Sequence, residues 1–285
     1  MVLVLRLRKL LRIKGLLREG RCKCLIISNL WRLIISESLS RLFENFFLFF
    51  YVIFYWPLRW CAYTWTMRTL KQLEELTGSL STPSKMPCYS YNTPAQACKT
   101  GSILAKQKGT VCAGCYALKG RYLFRNVKDA LTNRLEKLKQ SAWKQAMIEL
   151  IQRKEKSGVF RWHDSGDISS TDHLHMLFDI AEALPTIKFW LPTKEFAMVR
   201  EVLQQRKRPS NLNIRLSAFK IDASAVEHAR RLGVTASGVT TDKAKVTCVA
   251  YKQGGVCGDC RACWDTSVEE VVYPKHWWKS TLKSK

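Results

Sequence analysis

Between Gly158 and Thr240 the chain repeats one pattern: a short apolar run, a polar strand end, then an amphipathic stretch of helical length. The apolar runs are Gly158–Trp162, Ile187–Leu191, Leu212–Leu216 and Val234–Val239, and helical patterns over 171–184, to about Arg206 and over 223–232 separate them. Such alternation builds βα units, whose right-handed connections lay successive strands parallel in one sheet. The expected fold is therefore α/β, with consecutive βα units on a parallel sheet in a partial TIM-barrel-like arrangement. Upstream, Leu70, Leu73 and Leu76 mark a helix over Met67–Gly78, and Ser79–Pro94 is a turn-rich connector. Asn126 is expected to cap a helical stretch that runs to about Lys156, with a break near Ser141.

Chemistry in such folds sits at the C-terminal ends of the strands. Those ends carry His163, Asp164, Asp167, Thr193, Lys194, Arg215 and Ser217, and His163, Asp164, Asp167 and Lys194 are the candidate catalytic groups. Plainer roles stand beside these. Asp164 and Asp167 precede a helix that either could cap, and His163 fits a satisfied polar residue. His173 and His175 fall on different helix faces and read as surface residues.

Cysteine is the strongest chemical signal. Of 11 cysteines, Cys22, Cys24 and Cys61 lie in an N-terminal stretch of different composition. Cys112-Ala-Gly-Cys115 follows Cys98, and Cys248 precedes Cys257-Gly-Asp-Cys260-Arg-Ala-Cys263. Two-residue spacing lets paired thiolates reach one ion. Gly114 and Gly258 let backbone amides turn toward the sulfurs, as iron–sulfur sites need. Cys98, Cys112, Cys115, Cys248, Cys257, Cys260 and Cys263 are the candidate metal ligands, and Cys88 is a spare. The expected cofactor is a [4Fe–4S] cluster, with zinc as the alternative. Three thiolates at the first group would leave one iron open, while four at the second suit zinc and a cubane alike.

Net charge is +24, which points to a polyanionic neighbour. Residues 1–66 hold 11 Lys/Arg against three acids, and the remaining chain holds 36 against 20. Residues 1–66 form a basic, aromatic extension with an uncharged run from Asn45 to Leu58, shorter than the roughly 20 residues a spanning helix wants. It reads as a mis-assigned start ahead of Met67, a membrane-associated segment or an ordered domain. Export of the rest would expose eight cysteines to an oxidising compartment. Residues 67–285 are thus expected to be one cytoplasmic α/β metal-binding domain without membrane contact. Its tail pairs Trp264, Trp277 and Trp278 with Lys275, Lys279, Lys283 and Lys285, a basic–aromatic pattern that could stack on single-stranded nucleic acid.

Several blocks are specific enough to suggest kinship. Met86-Pro-Cys-Tyr-Ser-Tyr, Ala97-Cys-Lys-Thr-Gly-Ser102, Val111–Gly120, Phe160–Asp167, Phe189–Lys194 and Cys257–Asp265 resemble the bacteriophage and prophage "gene product 88" family over roughly Met86–His276. The order of parts also resembles radical S-adenosylmethionine enzymes, although their usual Cys-x3-Cys-x2-Cys is replaced by a much longer first gap. That likeness implies a small-molecule cofactor, S-adenosylmethionine, held by Ser165, Gly166 and Asp167, with Arg215, Ser217 and Lys194 near its carboxylate or ribose. Two functions follow: an iron–sulfur enzyme on an unknown substrate, or a zinc-stabilised nucleic-acid-binding protein without catalysis.

Overall fold

The computed structural model describes residues 68–275, so the expectations for residues 1–66 and for the tail beyond Lys275 lie outside the described residues. Six strands form one sheet in chain order: β1 (Ser90–Tyr91), β2 (Val159–Trp162), β3 (Lys188–Thr193), β4 (Leu212–Ser217), β5 (Thr235–Thr240) and β6 (Glu270–Pro274). Every neighbouring pair is parallel. Right-handed crossovers between sequential neighbours wind such a sheet in one direction and leave it open, the partial-barrel layout expected from the alternation.

The helices are α1 (Leu70–Thr77), α2 (Lys99–Leu104), α3 (Arg125–Lys137), α4 (Trp143–Lys154), α5 (Thr171–Ala183), α6 (Phe196–Gln205) and α7 (Val226–Arg231). The expected break near Ser141 separates α3 from α4. Phe124, not Asn126, occupies the N-cap of α3, so Asn126 lies inside the first turn, where its Oδ1 accepts from the Val127 N–H.

Strand side chains alternate between two faces. Phe160, Trp162, Phe189, Leu191, Leu212, Ile214 and Leu216 face the helices and join Trp143, Leu150, Leu177 and Phe178 in the main core. Arg161, Trp190 and Asn213 are in register on the other face, with Arg215 one step further along the same face of β4, opposite Pro192. No α-helix joins β5 to β6, and the 241–269 connection, with only two short 3-10 turns, fills that inner face instead. Trp264 of this connection is 3% exposed, packs with Val159 and Trp190, and donates its indole N–H to the Phe160 carbonyl at 2.8 Å.

The surface reading of His173 is corrected here. Ser170 caps α5, which puts His173 on the same stripe as Leu174, Leu177 and Phe178, and the core buries it. Among the described residues no helix is long and apolar enough to cross a membrane.

Candidate functional site

The chain between β1 and α3 is a strap, residues 95–124, laid across the C-terminal ends of the strands. Its anchors are specific. Val111 N–H donates to the Phe219 carbonyl at 2.9 Å, and Ile221 N–H to the Gly109 carbonyl at 3.0 Å, just beyond β4. Glu195, just beyond β3 and 5% exposed, accepts from the Thr100 amide at 2.9 Å and hydroxyl at 2.8 Å. A buried carboxylate facing the first turn of α2 satisfies amides that a helix start leaves unpaired.

This strap carries Cys98, Cys112 and Cys115. Gly101 sits between two of them: a Cβ there would lie 2.9 Å from the Cys98 Cβ and 3.6 and 3.7 Å from the Cys98 and Cys112 sulfurs. Any larger residue would push the Cys98 side chain aside and fill the space beside both sulfurs. Burial raises the thiol pKa of Cys98 and of Cys112. Asp167 and the neighbouring cysteines add to this, while Lys194 lowers that of Cys112. The three thiols, Asp167 and Lys194 are therefore electrostatic neighbours.

Asp167 and Lys194 are tied to each other. The Asp167 carboxylate accepts from the Thr193 hydroxyl at 2.6 Å, the Ile168 amide at 2.8 Å and the Lys194 amide at 2.9 Å. Burial nevertheless pushes its pKa up to about 6 against those bonds, which favour the charged form. The Lys194 ammonium donates to the Ala218 carbonyl at 2.8 Å, and burial lowers its pKa against the pull of Cys112 and Asp167.

Other expected site residues are placed differently. His163 has φ 54° and packs its ring edge-on to His173 at 5.4 Å. It is 3% exposed, neither ring nitrogen has a hydrogen-bond partner among the described residues, and burial holds its pKa well below 6.5. Asp164 accepts a hydrogen bond from the Tyr116 hydroxyl through its backbone carbonyl, and burial raises its carboxyl pKa. Ser165 Oγ donates to the Thr93 carbonyl at 3.0 Å. Gly166, at φ 84°, lies against Thr93, whose Oγ1 is 2.0 Å from where a Cβ would stand. Ser217 pairs its Oγ with that of Ser237 at 3.1 Å. Arg215, fully buried, donates to the carbonyls of Cys263, Ala262, Asp265, Val268 and Ala236 at 2.7–3.0 Å and so clamps the 241–269 connection.

That connection carries Cys248, Cys257, Cys260 and Cys263, whose charges couple to one another. Burial lifts Cys263 to about 11 although it contacts the Tyr273 hydroxyl at 3.2 Å. Cys88 is buried against Val159, Trp190 and Trp264, with its pKa pushed up to about 12 by burial. All eight cysteines of the described residues are free thiols. Among the described residues, no three His, Cys, Asp or Glu side chains are gathered closely enough to hold a metal ion as they stand. The donors nonetheless fit a thiophilic metal in kind: they are unoxidised and grouped in two sets, and Gly101 spares the room between Cys98 and Cys112.

Sequence reasoning missed Arg161 and Glu195. Arg161 lies over the Trp190 ring at 4.3 Å and donates to the Met86 sulfur at 3.0 Å, between the two cysteine sets. Burial opposes its charge, but Tyr116, Asp164 and Tyr273 around it raise its pKa overall. Its place between Phe160 and Trp162 in a strand was the available signal, because alternation turns it to the opposite face.

Fold and site together define a parallel α/β protein of open-barrel layout, with one cysteine-bearing strap over the strand ends and a second cysteine-bearing connection across the inner face. The chain belongs to the Gene product 88 family, whose profile matches residues 62–266, over two thirds of its length. No curated protein and no solved structure matches it.

Proposed function

We propose that this protein is an iron–sulfur protein with an enzymatic site under its strap. In this reading Cys98, Cys112 and Cys115 hold a [4Fe–4S] cluster, and Cys248, Cys257, Cys260 and Cys263 hold a second metal centre. One observation supports it most: three strap thiols are neighbours of Asp167 and Lys194 at the strand ends, where barrel-like sheets do their chemistry. When bound, a cluster with three thiolate ligands supplies electron transfer and one iron open to a small-molecule cofactor such as S-adenosylmethionine.

The chain's own groups have defined parts to play. Asp167 Oδ2 accepts one bond, from the Lys194 amide, and so keeps acceptor capacity for a ligand ammonium. Lys194 supplies a positive charge that offsets the thiolates. Glu195 holds the strap in place through Thr100.

Anaerobic purification with iron, sulfide and zinc analysis tests the reading. The expected protein is brown, carries one or two clusters per chain, and loses one cluster's worth of iron, about four atoms, when Cys98, Cys112 and Cys115 are changed to Ser. A colourless protein with stoichiometric zinc and no iron would overturn it in favour of a zinc-stabilised binding protein.

A further inference from the structure

The outer surface of the strap differs in charge from the rest of the domain. Between Glu75 and Asp129 the sequence contains no acidic residue, yet it contains eight Lys/Arg. All eight are exposed; Arg125 pairs with Asp129, whereas Lys99, Lys106, Lys108, Lys119, Arg121 and Lys128, on or beside the strap, form no ion pair among the described residues. Several cations elsewhere have acidic partners: Arg206 pairs with Asp179 and Glu182, Lys154 with Glu74, and Arg230 with Glu269. An array of six unpaired cations repels itself, and a polyanion would relieve that repulsion.

Exposed apolar groups collect at the same place. Leu70 aside, every exposed large hydrophobic side chain among the described residues lies on one of the two cysteine-bearing segments. The strap carries Ile103, Tyr116, Leu123 and Phe124, with Phe124 59% exposed. Planar faces spaced among unpaired cations are what single-stranded nucleic acid uses, stacking bases while its phosphates release counterions. A helix that lies in a membrane surface presents one continuous apolar face. Here Tyr116 and Leu123 stand on separate short 3-10 turns, Tyr116–Leu118 and Gly120–Leu123.

We infer that the outer face of the strap is a docking surface for single-stranded nucleic acid, which brings a strand to the mouth of the site at Asp167 and Lys194. The inference goes beyond the iron–sulfur reading and needs no metal at the thiols.

Fluorescence anisotropy of a labelled single-stranded oligonucleotide of about 16 nucleotides, titrated with the full chain at several salt concentrations, tests it. The unchanged protein is expected to bind with a steep salt dependence. The fourfold variant K106Q/K108Q/K119Q/R121Q should bind at least about tenfold more weakly. Its log–log salt slope should be shallower by about 3, since each single-strand phosphate contact contributes about 0.7. Phe124→Ala should weaken binding at least about fivefold with the slope unchanged, the signature of a lost stacking partner. Lys188 and Lys207 flank the opposite, N-terminal ends of β3 and β4, and K188Q/K207Q should bind as the unchanged chain does. Melting temperatures of all variants should stay together, which separates lost docking from lost folding. Equal weakening by the strap and control variants would overturn the inference. So would salt-insensitive binding. A strap variant that loses affinity for phosphatidylserine vesicles but keeps it for the oligonucleotide would also overturn it, in favour of a membrane contact.

Discussion

His173 offers a sharp test of how the helix layer packs. Its ring sits in the core against Trp143, with centroids 6.1 Å apart, and against His163, with Nδ1 3.2 Å from the Ser169 hydroxyl. Burial lowers its pKa from 6.5 to about 3. Above pH 7 the ring is neutral whether the chain is folded or not, so it adds no pH dependence there. As the pH falls through 6.5 the unfolded chain takes up a proton that the folded chain refuses. Stability is then lost at about 1.4 kcal/mol per pH unit, a total of about 2 kcal/mol by pH 5. His163 adds a loss of the same sign, whereas the raised pKa of Asp167 works in the opposite direction below about pH 6. Comparing the protein with His173→Leu isolates one group from the others. The variant forfeits the Ser169 contact and should be about 1 kcal/mol less stable at pH 7.5. Between pH 7.5 and 5 the difference should shrink and reverse, because the variant escapes the 2 kcal/mol acid penalty. Urea unfolding at half-unit pH intervals reads this directly. A difference that stays constant across that range would show that His173 is solvated or charged in the folded protein, and the packing argument would fail.

Two further perturbations probe what holds the site together. Arg215→Met removes hydrogen bonds to five backbone carbonyls of the 241–269 connection and β5, of which those of Cys263 and Asp265 keep the Asn213 amide as donor, and should cost about 3–5 kcal/mol. Amide exchange should accelerate across residues 262–268 while α4 stays protected, and unchanged exchange there would refute the clamp. Gly166→Ala and Gly109→Ala place a side chain at nearly the same φ, 84° and 81°, but a Cβ at Gly109 meets nothing within 4 Å. The first should cost at least about 3 kcal/mol and the second about 1 kcal/mol, by urea unfolding. Equal costs would mean that a Cβ at Gly166 does not meet Thr93 Oγ1 at 2.0 Å.

Much of the architecture was legible in the sequence because short-range physics writes it there. Period-two and period-3.6 patterns locate β2 to β5 and the helices between them, and sequential βα units leave few topologies open. The two short outer strands were not legible. Ser90–Tyr91 is too brief to show a period, and it pairs with residues some seventy positions away. Glu270–Pro274 carries acidic and apolar residues without a clean alternation.

The candidate site divides along the same line. Spacing alone grouped the cysteines into two sets, because ligand geometry over two or three residues is a local property. Which polar strand ends meet those cysteines is a long-range matter that only the folded chain decides. It brings Asp167 and Lys194 to the strap, turns His163 into the helix layer, and commits Arg215 to carbonyls of a connection far along the chain. It also leaves the cations of the acid-free run after Glu75, visible in the sequence merely as a composition bias, exposed along the strap and the start of α3. Sequence determined which chemistry this chain carries; burial and register determined which of those groups stand together, because desolvation and hydrogen bonding act through space and not along the backbone.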